Sequence, residues 1–79
     1  MSRLKKILSK VLGISAADIN DNSSPDNINS WDSFNGLMLV SELENEFQVS
    51  FTIDEVVNIK NVGEIKEALI KHGIKQNEL

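Results

Sequence analysis

Leu4, Ile7, Leu8, Val11 and Leu12 fall at i, i+3, i+4, i+7 and i+8, a spacing that gathers them on one face of an α-helix. Ser2 can cap the start of that helix, and Gly13 supplies a residue that tolerates a left-handed stop. The same period returns in Gly36, Leu39, Val40, Leu43 and Phe47, which cluster on one side when laid out at about 100° per residue. Asp32 and Ser33, both good N-cap residues, stand just ahead of this run, so a second helix is predicted from there to about Phe47.

The remaining segments continue the helical pattern. Asn61 with Glu64 three residues later makes a capping-box-like start, Val62, Ile65, Ala68 and Leu69 form an apolar face, and Gly73 followed by Ile74 matches a helix stop. Between these helices, Val49-Ser50-Phe51-Thr52-Ile53 alternates over too few residues to make a sheet and finds no strand partner elsewhere. It is predicted to feed apolar anchors into a helical core. Thr52, Asp54 and Glu55 suit the start of a short helix through about Ile59, with Val56, Val57 and Ile59 available for burial. Residues 75–79 are predicted to fray. The fold class is therefore all-α: a small four-helix bundle, three main helices plus one short helix, with a long loop between helices 1 and 2 and residues 1–79 forming a single domain.

That loop, residues 14–30, is polar, rich in Asp, Asn and Ser, and holds the only proline, Pro25. Connections of this length are uncommon in small domains and tend to be functional or well anchored. Ile14, Ile19 and Ile28 are the predicted anchors. The run Asp18-Ile19-Asn20-Asp21-Asn22 invites comparison with a calcium loop, but Ser23 stands at the sixth position where glycine is wanted and Asn29 at the twelfth where glutamate is wanted. Calcium binding is not predicted.

Composition excludes several chemistries. The 79 residues contain no cysteine, hence no disulfide, no thiolate metal site and no thiol nucleophile. No apolar run approaches a membrane span and no signal-peptide core is evident, so a cytoplasmic location is expected. All eight Lys and Arg residues lie toward the ends of the chain, whereas residues 11–59 hold nine acids and no Lys or Arg. Such a field repels nucleic acid and anionic membrane, disfavours self-association through the middle of the chain, and steers basic partners there. A monomer is expected. Ser33 has no evident base, because the sole histidine, His72, belongs to the far end of the last helix, where it suits the dipole. The chain is not read as an enzyme.

Phe34, Leu37 and Met38, joined by Ser41 and Asn45, lie roughly opposite the core stripe of the second helix. An apolar patch that the core does not need suggests a partner surface, although the long loop could equally cover it.

Taken together, Asp32-Ser33 at the head of the second helix, Leu43-Glu44-Asn45-Glu46-Phe47 at its end, the short third helix and Asn61-Val62-Gly63-Glu64 opening the fourth resemble an acyl carrier protein over essentially the whole chain. The family's usual Asp-Ser-Leu attachment motif stands here as Asp32-Ser33-Phe34. The resemblance implies a covalent 4′-phosphopantetheine on Ser33, placed there by a phosphopantetheinyl transferase when the serine hydroxyl attacks the pyrophosphate of coenzyme A. It makes Asp32 the cap and a transferase contact. It places Phe34, Leu37 and Met38 on the face shown to partners, with Glu42, Glu44, Glu46, Asp54 and Glu55 providing electrostatic steering. The implied partners are an acyl-loading ligase or acyltransferase and acyl-consuming enzymes. Asn35 and Met38 stand where fatty-acid carriers usually have acids, and Trp31 precedes the motif as in free-standing carriers of specialised pathways, which points to a dedicated loading enzyme. An aminoacyl carrier of the D-alanyl or peptidyl type, the latter usually marked by a Gly-Gly-x-Ser motif absent here, and an unmodified docking module remain as alternatives.

Overall fold

A computed structural model describes residues 2–79. Four helices, α1 (Arg3–Leu12), α2 (Ser33–Phe47), α3 (Ile53–Asn58) and α4 (Val62–Lys71), pack as a small bundle, with no strand among the described residues. The predicted all-α class and the division into three longer helices and one short one are as observed.

Ser2 Oγ accepts from the Lys5 N–H at 3.0 Å and Gly13, at φ 67°, ends α1 by donating its N–H to Ser9 O. Leu4, Ile7, Leu8 and Leu12 are buried against Leu39, Leu43 and Phe47 of α2 and Val62, Ile65 and Leu69 of α4. Each such side chain contributes roughly 1.5–3 kcal/mol relative to leaving it in water, which is why the periodic positions decide the packing. Arg3 is exposed on α1 but reaches across to the end of α2. Its guanidinium lies 4.5 Å from the centre of the Phe47 ring, and it donates to Glu46 Oε2 at 3.0 Å and to Glu46 O at 2.9 Å.

The long connection is ordered by a few contacts. Residues Ala16–Asp18 form a 3-10 turn, Ile19 is buried, and Ile14 and Ile28 pack against the core. All three predicted anchors therefore hold. Ser23, not among the predicted anchors, is also buried, and its Oγ accepts from the Asn20 N–H. The first amides of α4 then fasten the loop: Val62 N–H donates to Ser23 O at 3.0 Å and Gly63 N–H to Asp21 O at 2.9 Å. These are donors that a helix start leaves without intrahelical partners. A Cβ at Gly63 would stand 3.3 Å from Asp21 O, so glycine is what lets the loop backbone come this close. Lys66 Nζ adds an ion pair to Asp21 Oδ1 at 2.6 Å.

Three local expectations need correction. Asn61 Oδ1 accepts from the Glu64 N–H, but Glu64 Oε1 accepts from Lys60 N–H, one residue further back than a capping box requires; the complete box is Thr52–Glu55 at α3. Ile53 and Val57 are 81% and 64% exposed. A six-residue helix has one inward side, and Val56 and Ile59 occupy it. Residues 75–79 do not fray: Gln76–Glu78 form a 3-10 turn, Leu79 is buried, and its carbonyl accepts from the Leu4 N–H at 2.7 Å.

The short helix is held to α4 by one polar contact. His72 Nε2 donates to Glu55 Oε2 at 2.8 Å, and the imidazole meets Phe51 edge-on with ring centres 5.2 Å apart. The Thr52 N–H first, and then His72, hold the Glu55 carboxyl below its ordinary value of 4.5. A carboxyl depressed by folding adds stability above its unfolded value and loses it as the pH falls through the folded one. The thermal midpoint is therefore expected to drop as the pH falls below about 4.5, and to drop less steeply in Glu55→Gln and His72→Ala, as circular dichroism melts across the acid range would measure. Equal acid slopes in all three proteins would show that this contact does not hold α3.

Candidate functional site at the head of α2

The chain reaches α2 through Trp31, which is buried and packs beside Gly36, its indole Nε1 3.7 Å from where a Cβ on that glycine would stand. Asn35 Nδ2 donates to Ser30 O at 2.7 Å, tying the end of the loop to the first turn of the helix. This gives Asn35 a role that the sequence did not disclose. Asp32 is the N-cap, with extended backbone, and its Oδ1 accepts from the Asn35 N–H at 2.8 Å. Gly36 N–H donates to Asp32 O.

Ser33, the next residue, is exposed as the first residue of α2. Its own N–H and that of Phe34 have no acceptor among the described residues. An exposed hydroxyl beside two uncommitted amides at the positive end of a helix suits a phosphate ester. His72 is occupied with Glu55, so no imidazole is placed to activate Ser33, and no metal-binding group of three or more His, Cys, Asp or Glu occurs among the described residues.

The predicted partner face divides in two. Phe34, Leu37 and Met38 are 71%, 66% and 41% exposed, so the loop does not cover them. Ile53 and Val57 of α3 add exposed apolar groups that sequence patterning missed, because a helix of six residues is too short for its period to separate inside from outside. Among the acids, Asp54 is exposed and Glu42 half-buried. Glu44 instead accepts from the Phe51 N–H at 2.8 Å, Glu46 turns to Arg3 of α1, and Glu55 bonds His72. These last three serve the fold and are not gathered around the apolar groups. Behind Ser33, an apolar cleft of about 160 Å³ opens between α2, α3 and α4.

A family model described as phosphopantetheine attachment site matches residues 2–69, which take in α1 to α3 and most of α4. The chain belongs to this family. Its members carry a covalently attached 4′-phosphopantetheine; their carrier domains are not themselves catalytic and work with a phosphopantetheinyl transferase and acyl-handling enzymes. A comparison with curated proteins gives no match. No helix among the described residues is long and apolar enough to cross a membrane.

The start of α2 depends on its cap. Asp32→Ala removes the acceptor for Asn35 N–H and is expected to lower stability by about 1 kcal/mol in urea titrations, while Asp32→Asn retains most of it. An unchanged midpoint in Asp32→Ala would show that the cap is dispensable.

Proposed function

We propose that Ser33 is the attachment residue and that the protein is an acyl carrier, presenting its cargo to the enzymes of a specialised biosynthetic pathway. The observation that carries this is the Ser33 hydroxyl, exposed at the first residue of α2 beside two uncommitted amides, within a chain of the phosphopantetheine attachment family. When bound, 4′-phosphopantetheine supplies a thiol that holds an acyl group as a thioester. The protein's own residues would do the rest. Asp32 fixes the turn that presents the hydroxyl, and the Ser33 and Phe34 amides would be the donors available to the phosphate.

Phe34, Leu37 and Met38, extended by Ile53 and Val57, form the surface offered to the transferase and to loading and consuming enzymes. Asp54 and Glu42 are the acids best placed to steer basic partners, while Glu44, Glu46 and Glu55 contribute charge at longer range. Within residues 1–79, taken as one domain, the apolar weight of this face, with Asn35 and Met38 in place of acids, favours a dedicated ligase or acyltransferase over a partner held chiefly by charge. A protein working with coenzyme A and such enzymes belongs in the cytoplasm, as a monomer.

Incubation with coenzyme A, magnesium and a broad-specificity phosphopantetheinyl transferase should add one phosphopantetheine to the parent protein by intact mass and none to Ser33→Ala. A folded, helical and previously unmodified parent that gains nothing would overturn the assignment of Ser33 and favour an unmodified docking module. Gain by Ser33→Ala would place the arm on another residue.

A further inference from the structure

Asn35 and Gly36, in the first turn of α2, are the one Asn-Gly pair in the chain. Asparagine is a thermolabile residue, and most of all before glycine, where no side chain hinders the next backbone nitrogen from reaching the carboxamide. We propose that this pair is a deamidation site, held closed by the cap of α2 and reactive when the first turn opens. The inference stands on residues 30–36 alone and needs no arm on Ser33. The reaction takes water as its only other reactant. The Gly36 backbone nitrogen attacks Asn35 Cγ, a new N–Cγ bond forms, the Cγ–Nδ2 bond breaks, and Nδ2 leaves as ammonia with the Gly36 amide proton. Water then opens the resulting succinimide at one of its two C–N bonds, leaving aspartate or isoaspartate at position 35.

Three hydrogen bonds hold the reacting atoms apart. The Gly36 N–H, which must be given up before its nitrogen can attack, donates to Asp32 O at 2.8 Å. Asn35 Nδ2, the leaving group, donates to Ser30 O at 2.7 Å and so keeps the carboxamide turned toward the loop. The Asn35 N–H donates to Asp32 Oδ1 at 2.8 Å and fixes the backbone between them. Two of the three end on Asp32, so the cap residue is also the lock. It sits at the end of a helix, where opening costs least, beside exposed Asp32, Ser33 and Phe34, and Asn35 and Gly36 are themselves only half-buried. Conversion has a structural consequence. An ionised carboxylate has no hydrogen to donate to Ser30 O, and isoaspartate lengthens the backbone inside the turn. Either product unties the end of the loop from α2 and adds a negative charge beside the Ser33 and Phe34 amides.

The test incubates the parent, Asp32→Ala, Asp32→Ser and Gly36→Ala in warm, mildly alkaline buffer, with urea-unfolded parent alongside, and follows conversion at each asparagine by peptide mass mapping. Asn35 should convert faster than any other asparagine in the unfolded parent and slowly in the folded one. Asp32→Ala should speed it about fivefold, the factor by which loss of a cap opens the turn, whereas Asp32→Ser, which still caps, should keep the parent rate. Gly36→Ala, whose added methyl makes only ordinary contact with Trp31, should keep the fold and suppress conversion. Hydrogen exchange of the Gly36 amide reads the opening directly, and conversion should follow it across the parent and the Asp32 variants, including any variant that is partly unfolded. No preference for Asn35 in the unfolded chain would overturn the site. Equal rates in folded parent and Asp32→Ala, conversion that does not follow Gly36 exchange, or an equal acceleration at Asn22, outside the capped turn, would overturn the lock.

Discussion

Two backbone amides, those of Val62 and Gly63, hold the long connection in place by donating to the carbonyls of Ser23 and Asp21. Most of what the molecule presents depends on that docking. The loop has few apolar groups with which to fold itself, and in isolation the entropy of ordering it would go unopposed. Fastened to the start of α4, it carries Ile19 into the core, brings Trp31 down beside Gly36, and leaves Asp32 and Ser33 at the open end of α2. The helix that supplies the anchoring donors thus contributes to the site without touching the serine.

α2 serves two environments at once. Leu39, Leu43 and Phe47 are buried, whereas Phe34, Leu37 and Met38 remain in solvent. The charge pattern is also altered by folding. Although the basic residues sit at the chain ends, Arg3, Lys66 and His72 return to pair with Glu46, Asp21 and Glu55. Part of the acidic middle is thereby neutralised locally, and a partner meets a smaller field than the linear sequence suggests. Exposed pairs of this kind add little stability each, so their larger effect is on where negative potential survives.

The sequence was informative where one residue's chemistry sufficed. The five-position stripe of α1, the Asp32 cap, the left-handed Gly13 and the three isoleucine anchors all follow from side-chain type and spacing, and so does the recognition of the family. It was silent where a distant contact decides. Leu79 sits in a polar, aperiodic tail, and its burial depends on α1 being there to receive it. Gln48 adopts φ 55° with no glycine or asparagine to announce it, its N–H bonding Glu44 O. Glu44 itself reads as a surface acid until the Phe51 amide is seen to need it. At the candidate site, Ser33, Asp32 and the α2 patch were legible. Ile53, Val57 and the cleft were not, because the first two required knowing which way a one-sided short helix faces and the third exists only between packed helices.

The meeting of Leu79 with Leu4 has a geometric result for anything joined to this domain. Both ends of the described chain converge beside the last turn of α2, where Arg3 reaches Glu46. Ser33 opens the same 15-residue helix, roughly 20 Å along its axis from that last turn. A tether, label or neighbouring domain attached at either end would therefore leave from one pole of the bundle while Ser33 stands at the other, so immobilising the protein by its ends keeps the head of α2 clear.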